Sequence, residues 1–375
     1  MNFDLDEKYL AIQQAALQLM RSVDDIATEA DACNELHPGI LKALQNSKLA
    51  DLMVPSAYGG RFDKIDPLAI CIVREAMMAT SSHMDSLFAL QGIGSYAVTC
   101  GGSDTQKDFW LPRIATAEIL PALALTEPEA GSDLKSVTTE ITSAGDELIV
   151  NGTKAFISNA GAASFYVVFA KEEAGYSVVL VPADAKGVSV TQTPELIAPH
   201  VLGDVHFDKV RIPASERLGQ AGSGLELVLA TLGVFRVSVA GAAVGLAQAA
   251  LDEAVKHTHS RIQFGRPLAK LGPVAQMLAD SWTEIEMARL LTYRAAIYAQ
   301  QDSGANLHHS SMAKLAASEM ASKVVDRCIQ MMGRFGLVRD TKIEKLYRQA
   351  RPMRIYEGSS EILRLGIAKE LAHTV

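Results

Sequence analysis

The fold is decided by the segment at residues 147–170, which reads ELIVNGTKAFISNAGAASFYVVFA. Its β-branched and aromatic runs are interrupted by the hairpin-type dipeptide Asn151-Gly152, a pattern that predicts short strands joined by tight turns. Two further runs of this kind follow at residues 176–181 and 187–193. The spacing favours a small antiparallel barrel or sandwich over alternating βαβ units.

Helical patterns lie on both sides of this β-rich region. Apolar residues at helical spacing predict helices over 6–34, 38–47, 67–79, 84–100, 225–258, 273–302 and 306–333, with a shorter helix at the end. We therefore expect an α+β protein with three parts, which are an N-terminal helical domain (1–120), a central antiparallel β-barrel (121–220) and a C-terminal four-helix bundle (221–375).

Composition narrows the function. The 375 residues carry 35 Lys+Arg against 43 Asp+Glu, a net charge of −8, which argues against a nucleic-acid partner. Four widely spaced cysteines predict neither a disulfide framework nor a metal site. The acidic N-terminus does not resemble a targeting peptide, and the longest apolar run, at 237–247, is too short to span a bilayer. The expectation is a cytoplasmic protein without metal, nucleic-acid or membrane partners.

Two familiar motifs are set aside. Gly92-Ile-Gly94 fits a loose dinucleotide pattern but lies in a helical region, where a packing role is expected. Ser311-Met-Ala-Lys314 matches SxxK without the SDN or KTG partners of that motif.

Polar, glycine-containing segments carry the remaining signal. ALTEPEAGSD at 124–133 can offer N–H and O–H donors to a flat heterocycle or a phosphate, or can simply connect helix to strand. In KAFISNA at 154–160, Phe156 and Ser158 are two residues apart and are expected on one face. RIQFGRP at 261–267 can bind a pyrophosphate through arginine or form a surface loop. QMMGRFG at 330–336 can cap a helix or admit a bulky ligand.

The segment RIYEGSSEI at 354–362 is the candidate catalytic element. A carboxylate at Glu357, beside bulky residues in a dry pocket, would have the raised pKa that a general base needs. The alternative is a carboxylate at the start of the last helix, stabilised by the helix dipole.

These segments, in this order and spacing, resemble the acyl-CoA dehydrogenase family over essentially the whole chain. The resemblance implies a homotetramer that binds FAD non-covalently between barrel and bundle, partly across a subunit boundary. It implies FAD contacts from Leu125, Thr126, Ser132, Phe156, Ser158, Arg261, Gln263, Phe264, Gln330, Gly333, Ser359 and Glu361. It implies substrate contacts from Ser132, Arg236, Tyr356 and Gly358.

The resemblance also implies the reaction. Glu357 would remove the α proton of an acyl-CoA thioester while a hydride leaves the β carbon for flavin N5. Hydrogen bonds from the Glu357 N–H and a ribityl hydroxyl would stabilise the developing enolate. An electron-transfer flavoprotein would then reoxidise the flavin.

Some residues depart from the family pattern. Phe156 replaces a usual tryptophan, and Gly233, Gly272 and Arg334 occupy positions where other residues are common. In the family the helix containing Asp85 helps line the acyl pocket, where a carboxylate is costly. Asp85 could be a second acid/base for an alicyclic (cyclohexane- or cyclohexene-carboxyl type) substrate, or a solvated residue at a helix start. Two rivals remain, a dehydrogenase of carrier-protein thioesters and, against the acidic charge, a non-catalytic flavoprotein that binds DNA.

Overall fold

The computed structural model describes residues 4–374. Its chain forms two compact units. The first contains the residues up to Arg21, Pro67–Asp85 and the residues from Arg236 onward. The second contains Ser22–Asp66 and Ser86–Phe235.

Helices occupy both ends of the chain, as the sequence patterns predicted. They are α1 (Glu7–Ala30), α2 (Pro38–Ser47), α3 (Pro67–Met78), α4 (Ser82–Ile93), α5 (Tyr96–Gly101), α6 (Asp104–Ala115), α7 (Gly224–Ser260), α8 (Gly272–Gln301), α9 (Leu307–Met332), α10 (Lys342–Ala350) and α11 (Ser360–Thr374). The helix expected over 84–100 is divided into α4 and α5, because the backbone turns at Gly94-Ser95. Helices α6 and α10 were not predicted.

In the first unit, α9 is the central helix. Helices α8, α10 and α11 pack against it, and α3 packs against α8. The inner face of α9 is lined by small residues such as Ala313, Ala317 and Ala321, which are fully buried and allow the close approach of neighbouring helices.

In the second unit, the strands form one mixed sheet. They are β1 (Pro121–Ala124), β2 (Glu140–Ala144), β3 (Glu147–Ser158), β4 (Phe165–Glu172), β5 (Gly175–Pro182), β6 (Val188–Gln192), β7 (Leu202–Pro213) and β8 (Arg217–Leu218). The strand order is β6-β7-β3-β2-β4-β5-β8, and β1 pairs with β4.

The antiparallel barrel expected from the sequence is not confirmed. Among the described residues no pairing joins the end strands β6 and β8, and β1 and β2 each pair with β4 in parallel. Strands β1 and β2, which form these parallel pairs, are only four and five residues long, and the sequence analysis did not predict them.

Strand β4 is buried on both faces. Tyr166 and Val168 belong to a core between the strands, whereas Phe165 and Val167 pack against the helices of this unit. A strand covered on both sides reads as a continuous apolar run, which is how Phe165–Ala170 reads.

The packing role expected for the Gly92-Ile-Gly94 motif is confirmed. A Cβ atom on Gly92 would lie 2.3 Å from the Phe235 ring, and one on Gly94 would lie 2.7 Å from Pro121. Glycine is needed there because neighbouring groups approach the backbone closely.

Helix α7 is long and apolar enough to cross a membrane by length and composition. However, 83% of its most apolar window is buried within the fold. This is the pattern of a core helix.

Candidate active site

In the first unit, Glu357 lies in a tight turn immediately before α11. Glu357 has φ +52° and Gly358 has φ +101°, so two consecutive residues adopt left-handed conformations. Ser359 caps α11 by accepting a hydrogen bond from the Ile362 N–H at 3.4 Å. The strained turn, rather than the helix, sets the direction of the Glu357 side chain.

Two buried cations hold this turn. Arg236 donates from Nε to the Glu357 carbonyl at 2.9 Å and from Nη1 to Ser311 Oγ at 3.0 Å. Lys314 donates from Nζ to the Gly358 carbonyl at 2.6 Å. Ser311 and Lys314, the SxxK pair set aside above, are therefore supports of the turn. Arg236, expected to contact substrate, has its guanidinium engaged by the protein.

The surroundings of the Glu357 carboxyl group raise its pKa. Its Oε2 is buried and has no hydrogen-bond partner among the described residues. Burial raises the pKa of Glu357, and the positive charges of Arg74, Arg236 and Lys314 oppose that rise. The alternative of a carboxylate stabilised at a helix start does not account for a buried oxygen without a donor. Beside it, the Tyr356 side chain is 38% exposed.

Asp85 is buried and ion-paired, so the expectation of a solvated residue at a helix start is wrong. It is 2% exposed, and Arg74, on α3, is 3% exposed. Arg74 donates to both Asp85 oxygens, at 2.9 and 2.7 Å, and to Ser238 Oγ at 2.9 Å. Sequence reasoning missed Arg74, although its helix reads PLAICIVREAMM, and a helix that is apolar on nearly all sides indicates a buried position.

In the second unit, the loop after β1 is fastened to β3. The Ala155 N–H donates to the Thr126 carbonyl at 2.8 Å. Lys154, fully buried, donates from Nζ to the Leu125 carbonyl and to Glu127 Oε1, both at 2.9 Å. Glu127 also accepts from the N–H groups of Thr138 and Thr139. Burial disfavours the Glu127 carboxylate, but these donors outweigh it and lower its pKa to about 2.

A bulge in β3 presents Phe156 outward. The pairing of β3 with β7 shifts register between Lys154 and Ile157, and Phe156 within this bulge has φ +56°. Its ring is 54% exposed, while Ile157 is buried in the core between the strands. Ser158 is half-buried, so neither Phe156 nor Ser158 points into that core. The bulge, and not the regular alternation of a strand, gives Phe156 its outward direction.

Strand β7 and the loop before it support these two residues. Asp204 Oδ1 accepts from the Phe156 N–H at 3.0 Å, and His200 Nε2 lies 2.9 Å from Ser158 Oγ. Neither Asp204 nor His200 was singled out in the sequence, because both act across the sheet from a distant part of the chain.

The other predicted cofactor residues lie at the surface of their units. In the first unit, Ile262–Gln263 (β9) pairs with Arg266–Pro267 (β10), and this hairpin presents Phe264, which is 89% exposed. The Arg261 guanidinium lies 5.6 Å from the Phe335 ring, beside the glycine-containing segment that follows α9. Gln330, Gly333 and Glu361 are exposed, Ser359 is half-buried, and in the second unit Ser132 is exposed.

Residues 330–336 cap a helix, and residues 261–267 form a surface hairpin. Gly333 ends α9 with φ +58°, and its N–H donates to the Gln330 and Ile329 carbonyls, which is the helix-cap role. A Cβ at Gly333 would meet no atom within 4 Å, so the space beside the cap is also open. Residues 261–267 form the β9–β10 hairpin on the surface.

Sequence comparisons identify the family. The acyl-CoA dehydrogenase N-terminal, middle and C-terminal domain profiles match residues 6–118, 122–210 and 222–372. Cyclohexane-1-carbonyl-CoA dehydrogenase of Geobacter metallireducens is 32% identical, and the alignment covers 98% of both chains. Cyclohex-1-ene-1-carbonyl-CoA dehydrogenase of the same organism is 34% identical over 86% of this chain and 87% of its own. Mouse short-chain specific acyl-CoA dehydrogenase is 39% identical over 85% and 83%.

Solved structures agree. Butyryl-CoA dehydrogenase from Megasphaera elsdenii superimposes with a TM-score of 0.95 at 27% identity, covering 99% of this chain and 100% of its own. Glutaryl-CoA dehydrogenase from Mycobacterium smegmatis in complex with FADH2 gives 0.92 at 25% identity, covering 98% and 95%. A chain from a structure described as the electron transferring flavoprotein of Acidaminococcus fermentans gives 0.94 at 28%, covering 99% of both.

The surface around Phe156 fits FAD. The exposed Phe156 ring offers an apolar face to a flat heterocycle, and the Thr126 and Ser158 hydroxyls beside that strand segment can bond polar ring edges. A Cβ at Gly131 would meet only Thr126, at 3.9 Å, which leaves space above the loop. The chain therefore belongs to the acyl-CoA dehydrogenase family, as an oxidoreductase whose cofactor is FAD.

Proposed function

We propose that the protein dehydrogenates an acyl-CoA thioester between its α and β carbons, with Glu357 as the base that removes the α proton. The observation that carries this proposal is the buried Glu357 Oε2 without a partner among the described residues. A carboxylate oxygen that no protein donor occupies is available to accept a proton from substrate.

The backbone of the same residue supports a second role. The Glu357 N–H donates to no acceptor among the described residues. An unactivated α proton is a very weak acid, so its removal requires hydrogen bonds to the thioester carbonyl as negative charge develops there. The Glu357 N–H would supply one such bond, and its left-handed conformation fixes where that N–H points. When bound, FAD supplies the acceptor for the hydride that leaves the β carbon.

The experiment is an anaerobic titration of the yellow holoenzyme with butyryl-CoA and longer acyl-CoAs, following loss of flavin absorbance. We expect the parent protein to bleach and Glu357→Gln to keep its FAD without bleaching. Rapid bleaching of Glu357→Gln would exclude the proposed base. The same titration with acyl groups on a carrier protein separates the carrier-thioester alternative.

We further propose an electron-transfer flavoprotein as the electron acceptor and a homotetramer as the assembly. The first is supported by the name of one structural neighbour. The second is supported by large apolar side chains exposed on the first unit, among them Trp282 (62%), Met287 (66%) and Leu365 (68%). Reoxidation rates with that flavoprotein test the first, and light scattering during gel filtration tests the second.

A second candidate substrate class is alicyclic, with Asp85 acting on a remote ring carbon. Two relatives named for cyclohexane and cyclohexene carboxyl-CoA and the burial of Asp85 favour it. Arg74 occupies both Asp85 oxygens, so it would have to release one before Asp85 could accept a proton.

Asp85→Asn, compared with the exposed Asp280→Asn as control, tests this candidate with cyclohexane-1-carbonyl-CoA and butyryl-CoA. A proton-accepting role predicts a loss of alicyclic turnover at least about 10-fold greater than the loss of linear turnover. Equal losses, or none, would reject that role.

A further inference from the structure

Lys314 is the least exposed cation near the Glu357 turn. Its side chain is fully buried on α9, and its Nζ donates to the Gly358 carbonyl at 2.6 Å. No carboxylate in residues 4–374 lies within 4.0 Å of that Nζ. Burying a lysine without an ion pair is costly, so a structural helix position would be better filled by an apolar residue.

The carbonyl that Lys314 holds is the one that follows the base. A left-handed conformation costs a residue with a side chain about 1 kcal/mol or more and persists only where the surroundings enforce it. Arg236 binds the carbonyl of Glu357 and Lys314 binds the carbonyl of Gly358, so both peptide groups of the turn are fixed by cations. A side chain at Gly358 would lie 3.3 Å from Arg236 Nη2, which leaves the turn little freedom to relax.

The charged groups around the Glu357 carboxyl come from four helices. They are Arg74 on α3, Asp85 on α4, Arg236 on α7 and Lys314 on α9. Asp85 pairs with Arg74 and offsets its charge. Arg236 and Lys314 form no ion pair within 4.0 Å among the described residues; Glu357 attracts both of them, and the more distant carboxylates of Glu319 and Glu361 also attract Lys314.

We propose that Lys314 is a positioning residue for the Glu357 base, which holds the left-handed turn through the Gly358 carbonyl and keeps a positive charge beside the carboxyl group. This inference rests on the proposed function, in which Glu357 removes the α proton. Lys314 itself touches neither substrate nor flavin in this role. Burial lowers the pKa of Lys314 to about 8, against the attraction of Glu357, so its charge is present at neutral pH and is lost in alkali.

Three variants of the holoenzyme separate the hydrogen bond from the charge. Lys314→Met removes both, Lys314→Gln can keep an N–H donor without charge, and Lys314→Arg keeps both. Lys323→Met, at an exposed position on α9, is the control. For each, flavin content is measured by absorbance, and the rate of flavin reduction by butyryl-CoA is measured by stopped flow from pH 5.5 to 9.

We expect Lys314→Met to bind FAD but to reduce it about 10- to 100-fold more slowly at pH 7, with the loss in the limiting rate at saturating butyryl-CoA rather than in the butyryl-CoA concentration that gives half that rate. Its pH–rate profile should move upward by about one unit, because the base has lost a neighbouring cation. Lys314→Arg should recover the parental profile, Lys314→Gln should keep the shift, and the control should match the parent.

If Lys314→Met has the rate and the pH–rate profile of the parent, the inference is overturned. If Lys314→Met does not fold, equal pH–rate profiles in Lys314→Arg and Lys314→Gln overturn it instead. Glu357→Gln is assayed in parallel. If it still reduces flavin rapidly, the proposed function fails and the inference with it. If it does not, while the Lys314 variants behave as the parent, only the inference fails.

Discussion

Replacing Lys154 by methionine should destabilise the second unit strongly, although the ion pair that Lys154 forms with Glu127 adds little to stability overall. Both side chains are at most 3% exposed. A buried ion pair roughly balances its desolvation cost, whereas the removal of one partner leaves a buried charge uncompensated. A variant that removes one partner should therefore lose much stability, whereas a variant that removes both partners should lose less.

The expected magnitude follows from the contacts. Lys154→Met removes one charge-assisted hydrogen bond to Glu127, worth about 1.5–3 kcal/mol, and leaves the Leu125 carbonyl without its donor, at about 1–3 kcal/mol. We expect a loss of about 3–5 kcal/mol in the free energy of unfolding. Glu127→Leu combined with Lys154→Met should cost clearly less than the sum of the single variants, because neither charge then remains.

The two tryptophans of the chain allow this unit to be observed separately. Trp110 packs against Phe165 in the second unit, with ring centroids 4.6 Å apart, whereas Trp282 is exposed on the first. In a Trp282→Phe background, urea unfolding followed by tryptophan fluorescence therefore reports on the second unit alone. Lys171→Met, at an exposed site on β4, is the control. A loss below about 1 kcal/mol for Lys154→Met, or additive single variants, would refute the reasoning.

Three further outcomes are expected. The pKa of Glu127 is about 2 in the folded state and lies below its ordinary 4.5, so ionised Glu127 stabilises the folded state fully above pH 4.5 and loses this effect as the pH falls toward 2. In Glu127→Gln the midpoint of urea unfolding should therefore depend less on pH in this range. Because burial raises the pKa of Glu357, the rate of flavin reduction should increase with pH through a value above 4.5 and then level off in a stopped-flow profile. Gly358→Ala, at φ +101°, should cost about 1–2 kcal/mol of stability by thermal unfolding. It should also lower the rate of flavin reduction by a larger factor than it lowers the affinity for FAD.

The helices and main strands could be read from the sequence because their signals are local. The apolar run Phe165–Ala170 and the long Ala-rich helices need no distant information to be recognised. Strand β7 was missed although it contributes Asp204, because its alternation of polar and apolar residues is broken near Asp208-Lys209. Barrel closure could not be predicted from strand spacing, since it depends on which edges pair.

The candidate base could be identified, but its supports could not. Glu357 stands out beside a glycine and bulky neighbours, whereas Lys314 looks like an ordinary helix cation and no residue near Arg74 in the sequence indicates what it binds. Their roles depend on contacts across 44 residues for Lys314 to Gly358 and across 164 for Arg74 to Ser238. Spacing along one element carries no record of such contacts, which arise only when separate elements pack together.

Lys154 and Lys314 give each unit an internal reporter of opening. Among the residues that the structure describes, each unit has one lysine without solvent exposure, Lys154 in the second and Lys314 in the first. Amine-reactive reagents should acylate the exposed lysines at once and these two only when their surroundings open. Peptide mass spectrometry after timed labelling would then follow the local opening of each unit separately, in one sample and without any engineered probe.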